Sequence, residues 1–167
     1  MTKLLLAAGV AYAAVNVPSG EPAARVTLKW GYKDLPLRMR VFALEPGAAK
    51  PLWEMGTVDD FAALPPGQDV TDAAIPLWRG FNRTLILAMA NGTDKPISFF
   101  AAPHTMAPAE RSLGCEFWCL CVNDVYTVPP GKVWYRVVRL GLKDKAVGGD
   151  LAVTHDLVGG RPAETGF

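Results

Sequence analysis

The chain has 167 residues, a one-domain length, and half of them are apolar, enough to enclose a core. Seventeen basic residues against sixteen acidic ones give a net charge of +1, which leaves no basic stripe for nucleic acid and no acidic tail. Three cysteines exclude a disulfide framework. Fourteen prolines and sixteen glycines punctuate the whole length, a pattern of many short strands with no room for long helices.

Lys3 precedes an apolar run from Leu4 to Val15, with small residues at Ala11, Ala13 and Ala14. Residues 1–22 therefore read as an N-terminal apolar segment of helical character. It is a secretory signal, the remnant of an anchor, or a helix docked on a partner, and it is too short to span a bilayer alone. After Pro18-Ser19-Gly20-Glu21-Pro22 the pattern changes to strands. Arg25 to Trp30 and Leu37 to Phe42 alternate polar and apolar residues, as half-buried strands do. A looser segment follows, broken at Pro46-Gly47 and Pro65-Pro66-Gly67, with the compact apolar stretch Pro51 to Met55 inside it.

Thr84 to Ala90 is apolar on both faces and predicts an interior strand, closed by the dense turn signal Asn91 to Pro96. Ile97 to Ala101, Cys115 to Val122 and Val125 to Val128 predict three more strands. Val133 to Leu140 has the strongest β-propensity in the chain, and Leu151 to His155 ends the series before a Gly/Pro-rich tail, residues 159–167. About eight such strands predict an all-β fold, an immunoglobulin-like β-sandwich over residues 23–158.

The three cysteines fall between Cys115 and Cys121. In an extended strand, Cys119 and Cys121 project from one face about 6.5 Å apart, with Leu120 on the other. Such a pair suits soft Cu(I), whereas zinc asks for four ligands and no second Cys or His pair stands at finger spacing. Cys115 is a candidate third ligand, and Met106 and His104 are weaker candidates. Core packing of small apolar thiols, thiol redox chemistry and a strained disulfide are open alternatives. His155, far along the chain, reads as structural. No serine elbow, phosphate loop or metalloprotease helix is present, and the carboxylates are scattered without pairing, so the expectation is a protein without turnover.

The order of these features resembles the CtaG-type copper-assembly proteins of cytochrome c oxidase. Val26-Thr27-Leu28-Lys29-Trp30 is similar to the family's early strand ending in an aromatic. Pro51-Leu52-Trp53-Glu54-Met55 with Pro65-Pro66-Gly67 is similar to its Leu-Pro-Trp-Glu-Phe-like segment and Pro-Gly turn. Ala88 to Asn91 with Asp94 to Ile97, then Ala107 to Glu110, Cys119-Leu120-Cys121, Pro130-Gly131 and Leu151 to His155 follow in the family's order.

The resemblance implies an immunoglobulin-like sandwich with Cys119 and Cys121 as Cu(I) ligands. It implies a membrane-associated factor that holds copper for cytochrome c oxidase, in the mitochondrial intermembrane space and inner membrane or in the bacterial periplasm. The partners expected are the oxidase or another respiratory-complex subunit, and a second copy of the chain. The alternative is an accessory or structural subunit that reuses the fold without moving copper. The chain departs from the family's pattern in several places. Val15 to Pro22 lacks the cysteine that follows the family's anchor, Glu116-Phe117-Trp118 stands for Lys-Ile-Gln, and Leu120 and Val122 stand for phenylalanines. Residues 68 to 82 read as an insertion, and Cys115 is extra.

Overall fold

The structure, a computed structural model, describes residues 18–45, 48, 50–120 and 124–160. Most of the expected apolar N-terminal segment, as well as Cys121 and the end of the tail, lies outside these residues. The described part is all-β, twelve strands with two single-turn 3₁₀ segments. The strands form two sheets packed as a sandwich, so the predicted fold class holds.

One sheet runs β10 (Tyr126–Val128), β7 (Ile97–Ala101), β12 (Gly149–Gly159), β1 (Ala24–Lys33) and β5 (Ala74–Leu77), with β8 (Thr105–Ala107) pairing on β12. The other runs β3 (Met55–Val58), β11 (Val133–Leu142), β6 (Asn82–Asn91), β2 (Leu37–Leu44) and β4 (Gly67–Asp69), with β9 (Cys115–Trp118) pairing on β11. The first and last strands, β1 and β12, lie side by side in parallel over ten residue pairs, Ala24–Gly149 to Lys33–Val158. The other strand pairings are antiparallel.

The inward phase of each long strand fills one inter-sheet core. Val26 and Leu28 of β1 and Leu151, Val153 and Leu157 of β12 face Leu85, Leu87 and Met89 of β6 and Trp134, Val138 and Leu140 of β11. Phe99, Tyr126 and Trp134 meet in tilted and edge-on pairs with centroids 4.9–5.7 Å apart, each pair adding about 0.5–1.5 kcal/mol to its burial. Strand β6 is apolar on both faces because both are covered. Ile86 and Ala88 point outward into a second cluster with Phe42, Leu44 and Val137, roofed by Leu64 and Phe61. Arg38 and Arg40 lie over the Phe61 ring, 5.2 and 5.0 Å from its centroid.

The sequence reading differs from the structure in several places. Residues 68 to 82 hold β5 and part of β4, short edge strands on opposite sheets, whose few residues give alternation too little length to show. Strand β8 hides in a proline-flanked loop for the same reason. The predicted strand Cys115 to Val122 ends at Trp118, and Leu120 sits in a bend. Cys119 and Leu120 are consecutive and both buried in the same core cluster, which an extended chain with alternating faces does not allow.

Two polar devices fix the loops. Asn91, 2 % exposed, donates its amide to the Lys95 and Val128 carbonyls at 2.7 and 3.0 Å and accepts from the Thr93 N–H at 2.9 Å. Asn91→Ala leaves these groups unpaired and should lower the unfolding free energy by about 2 kcal/mol in urea titration. At the β2–β4 edge, burial pushes the Asp69 carboxyl up. Hydrogen bonds from Thr71 and Arg40 outweigh it and hold the group down at about 2. A depressed carboxylate stabilises the fold above its unfolded value and loses that contribution as pH falls from about 4 towards 2. Urea midpoints should therefore drop across that window in the wild type and less steeply in Asp69→Asn.

Candidate metal centre

Strand β12 carries Leu151, Val153, His155 and Leu157 on its inward phase, so an imidazole stands where its neighbours put aliphatic side chains. His155 is 1 % exposed. The β8–β12 register pairs Thr105 with Thr154. One further step sets His104 opposite His155, on the same inward face. Parallel pairing puts Trp30 of β1 beside His155, and the two rings stack flat, centroids 5.2 Å apart and 7° from coplanar.

The third member comes from the other sheet. Strand β9 pairs Trp118 with Arg139 of β11, and Cys119, next in the chain, turns its sulfur into the inter-sheet space at 3 % exposure. Facing sheets stand about 10 Å apart, so side chains reaching inward from both can meet between them. His104, Cys119 and His155 do so, with one donor atom from each lying within 4.8 Å of the others. Cys119 Sγ is 3.3 Å from His104 Nδ1. Two donors on one ion at ordinary Cu or Zn bond lengths stand about 3.5 Å apart, so this pair already has the spacing of shared ligands. The same contact also suits a thiol–imidazole hydrogen bond.

The outer contacts set the chemistry. His155 Nδ1 is 3.2 Å from the Ala102 carbonyl. With its Nδ1–H donating there, Nε2 is the lone-pair nitrogen, the tautomer that metal-binding histidines use. Ala102 is itself tied to β12 by its N–H to the Asp156 carbonyl, 2.9 Å. Phe117 of β9 packs on both imidazoles, tilted to His104 at 5.8 Å and edge-on to His155 at 5.7 Å by centroid. The walls are therefore aromatic, and half-buried His104 is the most open of the three. A buried sulfur between aromatic walls is poorly placed to attack a substrate, so the arrangement serves ligation better than nucleophilic catalysis.

The structure sorts the sequence candidates. Cys119 and His104 come together. Cys121 lies outside the described residues. Cys115 shares the inward phase of β9 but starts the strand, about 13 Å along the chain from Cys119, and is not in the donor group. Burial, reinforced by Glu116, pushes its thiol up to about 11, which disfavours the thiolate a metal needs. Met106 lies two residues from His104 on the inward phase of β8, opposite Val153 and packed on the core. His155, read as structural from the sequence, belongs to the centre. The signal for it is phase: it is the one ionisable residue at an inward position of an otherwise aliphatic strand.

Among the described residues no helix is long and apolar enough to cross a membrane. Comparison with curated proteins and with solved structures gives no match. Residues 24–160 match the family described as Domain of unknown function (DUF8709), and the chain belongs to that family.

Proposed function

We propose that this domain is a copper-binding protein without catalytic turnover, holding Cu(I) at His104, Cys119 and His155. The observation that carries the reading is the convergence of those three donors from two sheets into one buried point. Polar groups placed in a core raise the cost of folding relative to apolar ones unless they are satisfied or used, and here three side chains of metal-binding types share one place. A two-imidazole, one-thiolate set is a copper-type donor set. A structural zinc site completes four ligands, and the donor group among the described residues has three. The apolar walls of Trp30 and Phe117 favour a centre of low net charge, and Cu(I) with one thiolate is neutral.

The motif order that resembles CtaG-type proteins supports delivery of copper to cytochrome c oxidase as the setting, with the oxidase or a neighbouring subunit as partner. The resemblance implies a paired thiolate of Cys119 and Cys121; Cys121 lies outside the described residues, among which Cys119 meets two histidines.

Anaerobic titration with Cu(I) against a colorimetric chelator should give one tightly bound ion per chain. Changing a group that only orients a ligand costs 10–100-fold, so Cys119→Ser and His104→Ala should each weaken binding by more than about a hundredfold. Equal, weak binding by the wild type and both variants would overturn the reading. Cys115→Ser, outside the donor group, should bind as the wild type does.

A further inference from the structure

The inward phase of β11 runs Trp134, Arg136, Val138, Leu140, three core side chains and a guanidinium. Arg136 is 7 % exposed. Among the described residues it makes no ion pair. Its Nη1 donates to the Tyr126 hydroxyl, and its Nε is buried with no hydrogen-bond partner. Two rings flank the cation, Trp53 at 4.6 Å and Tyr126 at 5.2 Å from guanidinium carbon to centroid. Aromatic faces and a phenol lower the cost of burying the charge without cancelling it. Replacing such a cation by an apolar side chain of like size is often neutral or stabilising, so stability alone is a weak reason for Arg136.

Its field has a direction. Tyr126, after accepting from Arg136, donates its own hydroxyl to the carbonyl of Leu120 at 3.4 Å, the residue that follows Cys119. Burial pushes the Tyr126 phenol up, Arg136 pulls it down, and Asp124 and Cys119 each add a smaller upward push. Arg136 and the residue that follows Cys119 are thus joined through one hydroxyl.

We propose that Arg136 is a specificity residue of the metal centre, its buried positive charge favouring a monovalent ion over a divalent one. The inference rests on the copper reading above. Softness of the thiolate discriminates by bond type. Arg136 discriminates by charge, since each added unit of charge on the ion repels the guanidinium through a medium of low dielectric. At an effective dielectric of about 20, one such unit roughly 12 Å away changes an affinity ratio by about tenfold.

The test measures Cu(I) and Zn(II) affinities anaerobically for the wild type, Arg136→Met and Tyr126→Phe. In Arg136→Met the Zn(II) affinity should rise relative to Cu(I) by about tenfold. In Tyr126→Phe, which removes the hydroxyl joining the cation to the Leu120 carbonyl, the ratio should move the same way by less. A purely structural Arg136 would alter both affinities together. A wild-type ratio in Arg136→Met, or in Tyr126→Phe where Arg136→Met does not fold, overturns the proposal while leaving the copper reading intact. A wild type that binds neither ion overturns both.

Discussion

An imidazole facing the inside of a β-sandwich must have both ring nitrogens provided for, and at His155 that requirement organises the centre. The strand phase that buries Leu151, Val153 and Leu157 also buries His155, and solvent cannot serve it there. Its Nδ1 lies 3.2 Å from the Ala102 carbonyl. Ala102 in turn is held to β12 by its own N–H to Asp156, so the loop after β7 runs along β12 and re-enters it as β8. That short pairing is what brings His104 across from His155. Two hydrogen bonds about Ala102 therefore select the tautomer, pin the loop and place His104 across from His155, results of one local constraint.

The opposite sheet contributes through a break in regularity. Were β9 to continue past Trp118, Leu120 would point away from the core. The bend after Cys119 instead lets both residues turn inward, and Tyr126 fastens the bend through the Leu120 carbonyl. Tyr126 is also the partner of Arg136 and a member of the aromatic group with Phe99 and Trp134. The thiol is thus placed by a rigid core element, the arrangement that keeps ligand geometry within the tolerance a metal needs.

Much of this fold was legible in the amino-acid order. Alternation in Arg25 to Trp30 and Leu37 to Phe42, the doubly apolar Thr84 to Ala90, and the β-branched run from Val133 located four long strands, and their turns carried Gly, Pro and Asn where the chain reverses. What escaped was short or depended on contacts distant in sequence. Strands β3, β4, β5 and β8 have three or four residues each, fewer than a period-2 pattern needs to declare itself. The cysteines were conspicuous because they are close in sequence, yet Cys115 stands apart from the donor group and His155, thirty-six positions beyond Cys119, joins it. A ligand set assembled across two sheets is a property of register, and register is fixed by pairing that a single strand does not reveal.

The two buried ionic features belong together when charge is followed through the core. A thiolate at Cys119 and a guanidinium at Arg136 have opposite signs, and one phenol separates the segments that carry them. Were Cu(I) held there as proposed, ion and Cys119 thiolate would be neutral together, and the interior would keep only the charge of Arg136, softened by the faces of Trp53 and Tyr126. A divalent ion in the same place adds a second positive charge to a space walled by Trp30, Phe117 and aliphatic side chains. No carboxylate among the described residues pairs with Arg136 to absorb it. The core thus holds one uncompensated cation, and under the proposed copper reading the donor set and the buried arginine would favour the same charge on the ion.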